Sequence, residues 1–144
     1  MEPKIRALET SSVKLSEALQ YFEKEISALY PENEFRSIRR IVFDKIANIH
    51  PVDFHLKPNL EVSAESFLKI QEVTEGLKEF RPIQYLLGSA DFLGLKLKVA
   101  PGVLIPRPET EELADWIIKT HKFNENRILD IGTGSGCLAI ALDK

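Results

Sequence analysis

The chain has 144 residues, of which 44% are hydrophobic and 28% are charged, and its formal net charge is −3 at pH 7. This composition is typical of a globular protein, and no apolar run reaches the roughly 18 residues that a membrane-spanning helix needs. The negative balance argues against a broad nucleic-acid surface, and a local cluster such as Arg36, Arg39 and Arg40 is usually a solvated helix face. One cysteine and an N-terminus without the apolar core of a secretory signal favour a cytoplasmic protein.

Residues 1–80 predict an all-α helical bundle. In three segments the apolar residues recur at spacings of three and four, so each segment has one stripe that must be buried against another helix. The stripes are Leu15, Leu19, Phe22, Ile26 and Leu29; Phe35, Ile38, Ile41 or Val42, and Ile46; and Phe67, Ile70, Val73 and Leu77. Ser11 or Ser12 can cap the first helix and Pro31 stops it, and the third helix is expected from about Ser63 to Phe80.

Residues 81–106 predict a linker that contains a β-hairpin. Pro82 suits the first turn of a short helix, which Gly88 ends. From residue 93 to 99, leucine and valine alternate with glycine and lysine, which is the period of a strand. Residues 90–93 predict the partner strand, with the turn at or near Gly94.

Residues 107–144 predict a helix followed by a strand, a glycine-rich turn and a second helix. The first helix is expected from about Glu109 to Lys119, with Leu113, Trp116 and Ile117 on one side and Trp116 in the core. The strand is expected from Arg127 to Ile131, and residues 132–136 read Gly-Thr-Gly-Ser-Gly. Glycine supplies the backbone freedom for so tight a turn, and the following helix directs free N–H groups towards a ligand.

The glycine turn is consistent with two cofactor classes at this point. Dinucleotide sites use G-x-G-x-x-G, whereas here the third glycine comes one residue earlier, and Asp130 lies two residues before the first. The form D-x-G-x-G-x-G is similar to the first motif of the S-adenosylmethionine-dependent methyltransferases. A dinucleotide site and a glycine-rich connector that binds nothing are the alternatives.

Two further segments carry a resemblance to one family. Residues 81–88, Arg-Pro-Ile-Gln-Tyr-Leu-Leu-Gly, and residues 103–111, Val-Leu-Ile-Pro-Arg-Pro-Glu-Thr-Glu, resemble signatures of the release-factor glutamine methyltransferases, the PrmC/HemK family. The glycine turn follows at the spacing of that family. The resemblance covers residues 81–142 and implies that residues 107–144 begin a Rossmann-like α/β methyltransferase domain, after a helical substrate-recognition domain at residues 1–80.

The resemblance implies methyl transfer from S-adenosylmethionine to the glutamine of the Gly-Gly-Gln motif in a peptide chain release factor. The residues that match the cofactor-binding turn are Asp130, Gly132, Thr133, Gly134, Ser135 and Gly136. The residues that match a segment near the active site are Arg107, Glu109 and Thr110, which could instead only cap a helix. The family's catalytic Asn-Pro-Pro-Tyr motif does not occur in these 144 residues, so we expect a truncated chain that is inactive alone.

Other expectations concern partners and metals. We expect a release factor as the protein partner, with no direct binding to nucleic acid or membrane. An unpaired strand invites pairing with a second copy, so a dimer through Ile128–Ile131 is also expected. His50, His55 and His121 show no metal-ligand spacing, which predicts no metal site. The alternative function is a non-catalytic helical protein-binding module with a vestigial cofactor motif.

Overall fold

A computed structural model describes residues 12–120 and 127–143 of the chain. The chain divides into two compact units, Met1–Ile83 and Gln84–Lys144, called here the helical unit and the second unit. The sequence-based boundaries after residues 80 and 106 stay a prediction. Within the two described ranges, no helix combines the length and the apolar character that crossing a membrane requires.

The described part of the helical unit is dominated by three long helices, which confirms the predicted helical domain. Its elements are β1 (Val13–Lys14), α1 (Leu15–Ile26), a 3-10 turn (Ser27–Leu29), α2 (Glu32–Ala47), α3 (Asp53–Leu56), β2 (Glu61–Val62) and α4 (Ala64–Lys78). The two short strands pair antiparallel, with Val13 opposite Val62 and Lys14 opposite Glu61.

The core of the helical unit lies between α1, α2 and α4. Each helix contributes completely or almost completely buried side chains: Leu15, Phe22 and Ile26; Val42 and Phe43; Ile70, Val73 and Leu77. The rings of Phe22 and Phe43 meet edge to face, with centroids 5.6 Å apart and planes at 88°. Burying one such side chain stabilises a fold by about 1.5–3 kcal/mol, so these contacts hold the three helices together.

The first helix differs from its prediction at both ends. It begins after β1, and the N–H groups of Leu15 and Ser16 donate to the carbonyls of Leu60 (2.8 Å) and Pro58 (3.0 Å), so no serine side chain caps it. At the other end α1 stops at Ile26 and the chain continues as a 3-10 turn. A 3-10 helix has about three residues per turn, fewer than an α-helix, so Leu29 does not continue the apolar face of α1 and is 40% exposed.

The predicted start of the third helix, at about Ser63, agrees with the structure. Ser63 caps α4, and its hydroxyl accepts a hydrogen bond of 3.1 Å from the N–H of Ser66. A cap of this kind is specified by nearby residues, which explains why the sequence identifies it. Asn48, in the left-handed conformation with φ 55°, ends α2.

The second unit combines a hairpin with helices. It contains α5 (Ile83–Leu87, which begins at the unit boundary), β3 (Ser89–Phe92), β4 (Leu95–Lys98), α6 (Pro108–Thr120) and α7 (Cys137–Leu142). Strands β3 and β4 pair antiparallel with Phe92 opposite Leu95, which confirms the predicted hairpin. Leu93 and Gly94 form its two-residue turn, and both have positive φ, 48° and 72°. Two positive φ values match the twist of a hairpin.

The predicted core position of Trp116 on α6 is wrong. The buried residue of α6 is Ala114, which clusters with Phe92, Leu97, Cys137 and Ala141. The larger residues Leu113 and Trp116 are 46% and 59% exposed. Small side chains allow two helices to approach closely, so α6 and α7 meet through alanine and cysteine rather than through the tryptophan.

Candidate functional site

The glycine turn has the backbone conformation that its sequence predicts. The φ angles of Gly132, Gly134 and Gly136 are 78°, 55° and 75°. Residues with side chains rarely adopt these values, and β-branched residues are the least suited to them. The three alternating glycines are therefore required by the path of the backbone.

The space beside the turn is open. A Cβ atom added to Gly132 would meet nothing within 4 Å, and one added to Gly134 would meet only the Gly132 carbonyl oxygen, at 3.9 Å. The described residues therefore do not fill the volume next to this main chain. An arrangement of this kind leaves the backbone accessible to a bound molecule.

The turn leads directly into α7. The N–H of Gly136 donates to the carbonyl of Thr133 at 2.8 Å, and the N–H of Ile140 donates to the carbonyl of Gly136 at 2.9 Å. Cys137, the first residue of the helix, is buried in the core of the second unit. The lone cysteine thus anchors the helix rather than facing a substrate.

Asp130 contributes an acceptor beside the turn. Its side chain is partly buried, and its Oδ2 atom is shielded from water with no hydrogen-bond partner among the described residues. A buried carboxylate oxygen without a donor costs free energy. Such an atom fits a site in which a ligand's N–H or O–H group supplies the missing hydrogen bond.

The predicted strand at Arg127–Ile131 is wrong for this structure. Residues 127–130 have no regular secondary structure, and Leu129 and Ile131 are 83% and 86% exposed. A strand needs a neighbour to pair its backbone groups, and the sheets within the described ranges are two antiparallel pairs elsewhere in the chain. The parallel sheet of a Rossmann-like domain and a dimer through Ile128–Ile131 stay predictions.

The proline-rich segment begins α6. The carbonyl of Arg107 accepts hydrogen bonds from the N–H groups of Thr110 (3.0 Å) and Glu111 (3.2 Å). Arg107 and Glu109 are exposed, and Thr110 is half-buried. Among the side chains of the described residues, no hydrogen bond or ion pair joins these three residues to the glycine turn. The local geometry is that of a helix start, and their place near an active site stays a prediction.

Two side chains in the second unit make hydrogen bonds to distant backbone groups. The hydroxyl of Tyr85 donates to the carbonyl of Val103 at 2.6 Å. A carboxylate oxygen of Glu111 accepts a 2.7 Å hydrogen bond from the N–H of Leu93 in the hairpin turn. The sequence does not indicate these bonds, because each joins residues 18 positions apart.

The helical unit contains a groove at its cluster of arginines. The groove, of about 300 Å³, is lined by Arg36, Ser37, Arg39, Arg40, Pro51, Phe54 and His55. The basic cluster noted in the sequence therefore lines a groove in the folded unit. Elsewhere, no group of three or more His, Cys, Asp or Glu side chains within residues 12–120 and 127–143 could hold a metal ion.

Comparison with known proteins gives one family. Residues 17–88 match the family model described as the PrmC N-terminal domain. The chain is 39% identical over 124 residues to the release factor glutamine methyltransferase of Bacteroides thetaiotaomicron, covering 86% of this chain and 44% of that protein. It is 42% identical over 127 residues to the enzyme of the same name from Flavobacterium psychrophilum, covering 85% and 45% respectively.

A human relative shows how widely the similarity extends. The chain is 40% identical over 81 residues to the human MTRF1L release factor glutamine methyltransferase, which covers 51% of this chain and 24% of that protein. The chain spans less than half of the length of these curated relatives. Since the two bacterial alignments cover more than four-fifths of the chain, they extend over both units.

Proposed function

Because this chain belongs to the PrmC family, whose curated relatives are named release factor glutamine methyltransferases, we propose that it contributes to methyl transfer onto a release factor. The reaction moves the methyl group of S-adenosylmethionine to the side-chain amide of the glutamine in the Gly-Gly-Gln motif. The observation that carries the proposal is the similarity to these relatives along most of the chain. This substrate makes the cytoplasm the proposed location.

The glycine turn is the proposed cofactor-binding segment. When bound, S-adenosylmethionine supplies a methyl group activated by a sulfonium. Three features of the turn fit such a ligand: the positive φ of its glycines, the open space beside Gly132 and Gly134, and the unpaired Oδ2 of Asp130. An amino group is the kind of donor that this carboxylate oxygen lacks. Thr133 and Ser135 complete the proposed turn.

The proposed chemistry depends on orientation more than on acid–base groups. The lone pair of an amide nitrogen is delocalised, so this nitrogen is a poor nucleophile. The residues around it must therefore hold the amide in the reacting geometry. Arg107, Glu109 and Thr110 are proposed to lie near the site, while the family's Asn-Pro-Pro-Tyr motif is not in these 144 residues. We infer that the 144-residue chain alone does not catalyse the transfer.

The proposal is tested with Gly134→Val in a protein that carries this chain together with a complete methyltransferase domain. Valine at φ 55° is strained and its branched side chain enters the open space, so we expect calorimetric titration to show no S-adenosylmethionine binding. Gly102→Val is the matched control, since Gly102 also has positive φ (94°) with nothing within 4 Å but lies in a different turn. Unchanged affinity in a folded Gly134→Val variant would remove the glycine turn from the cofactor site.

A further inference from the structure

The groove of the helical unit has an unusual charge for this protein. Of its seven lining residues, three are arginines and a fourth is His55, and none is acidic. The whole chain carries a net charge of −3. The groove is therefore a local positive region on a protein that is negative overall.

The arginines share one helix face. Arg39 and Arg40 lie three and four positions after Arg36 on α2, which places the side chain of each next to that of Arg36. Arg36 already pairs with a carboxylate, since its Nε atom lies 2.6 Å from Glu32. Arg40 is exposed and has no partner within residues 12–120 and 127–143. In the part of the chain that the structure describes, the cluster thus contains at least one guanidinium without an anionic partner.

Arg39 is held in a fixed position at this groove. Its guanidinium carbon lies 5.4 Å from the ring centroid of Phe35 and 5.4 Å from that of Phe54, which is the geometry of a cation–π contact on each ring. Its Nε atom is shielded from water and donates no hydrogen bond to the described residues. A guanidinium fixed in this way loses little entropy when it binds a planar oxyanion, and its buried N–H still needs an acceptor.

We propose that this arginine groove binds the carboxylates of an acidic segment of a partner protein. A carboxylate matches the fork of N–H donors on a guanidinium and binds it through two parallel hydrogen bonds. Phe54 and Pro51 offer apolar contact to the carbon atoms of the same segment. The groove is formed by residues of the helical unit, whereas the glycine turn belongs to the second unit.

Charge around the groove favours a short acidic peptide over a nucleic acid. Two aspartates lie close to it in sequence: Asp53 pairs with Lys57 at 2.9 Å, and Asp44 lies 3.0 Å from His50. Both aspartates are paired, so the net charge of −3 over the whole chain is what disfavours a long polyanion with a charge on every phosphate. A peptide with a few carboxylates can place them on the arginines alone.

The test uses the 144-residue chain and a fluorescein-labelled hexaglutamate peptide with blocked ends, with binding followed by fluorescence anisotropy. We expect saturable binding that weakens with salt, and no binding of a matched hexaglutamine peptide. Arg40→Gln should weaken hexaglutamate binding by about tenfold, the change that losing one charge-assisted hydrogen bond gives. The matched control is Arg81→Gln, which removes the same charge from an exposed residue of the helical unit outside the groove and should change affinity less than about twofold.

A second variant and a second probe make the outcome decisive. Arg39→Lys keeps the charge but removes the guanidinium fork, so it should also weaken binding in a chain that retains its helical circular dichroism. Equal losses in Arg40→Gln and Arg81→Gln would overturn the proposal, because they would indicate non-specific attraction. Tighter binding of a hexanucleotide RNA than of hexaglutamate would overturn it in favour of a nucleic-acid site.

Discussion

The two units differ in how they use their apolar side chains. In the helical unit, three long helices bury aromatic rings such as Phe22 and Phe43 completely. In the second unit the buried cluster depends on one ring, Phe92, on Leu97 and on small residues, while Leu129 and Ile131 are 83% and 86% exposed. The helical unit therefore has a completely buried aromatic core of its own, whereas residues 127–131 leave large apolar side chains exposed.

The comparison is tested most strongly by Phe22→Ala. Removing a completely buried ring should destabilise the helical unit by about 3–5 kcal/mol, because transfer free energy is lost and a cavity remains. Urea unfolding followed by far-UV circular dichroism measures this loss. Leu19→Ala is the control, since Leu19 is on the predicted stripe but only half-buried, and it should cost at most about half as much. Equal losses of stability in Phe22→Ala and Leu19→Ala would mean that α1 turns a different face to the core than the structure shows.

A smaller effect is expected in the second unit from Glu111→Ala. The carboxylate of Glu111 accepts the N–H of Leu93, and without it this partly buried donor is unpaired. The expected loss is about 1–3 kcal/mol, confined to the second unit. Fluorescence of Trp116, the only tryptophan in the chain and a residue of this unit, reports its unfolding. Glu112→Ala removes the same charge from the next, exposed position and should change stability little.

The smallest predicted effect concerns the cap of α4. Ser63→Ala removes the acceptor for the N–H of Ser66 and should cost the helical unit about 1 kcal/mol. Thermal melting by circular dichroism measures the change. Ser37→Ala is the control, because Ser37 is inside α2 and its hydroxyl only donates to the carbonyl of Asn33. If Ser37→Ala lowers the stability as much as Ser63→Ala does, the cap hydrogen bond of Ser63 adds no stability of its own.

The sequence predicts best the features that are specified locally. The cap at Ser63, the hairpin turn at Gly94 and the positive φ of the glycines all follow from residues within a few positions. Which residue of α6 is buried could not be predicted from the sequence, because it depends on the tertiary contact between the small side chain of Ala114 and α7. The strand at 127–131 was predicted from apolar residues alone, and it does not form without a neighbouring strand.

The candidate sites show the same division between local and tertiary information. The arginine cluster is visible in the sequence, but the position of Arg39 between Phe35 and Phe54 depends on the packing of α3 against α2. The acid at Asp130 was predicted from its spacing to the glycines, whereas its unpaired Oδ2 is a property of the folded chain. Spacing therefore identifies candidate residues, and the fold determines which of their atoms lack a partner.

Hydrogen exchange on the 144-residue chain, shown to be monomeric by sedimentation, tests the contrast between the two units most directly. Amides within α1, α2 and α4 should exchange slowly, because their hydrogen bonds open only when the core unfolds. Amides of Ile128–Ile131 should exchange at rates close to those of an unfolded peptide, since this segment lies outside any helix or strand and its apolar side chains are exposed. Slow exchange across Ile128–Ile131 in the monomer, or fast exchange throughout the three helices, would contradict the account.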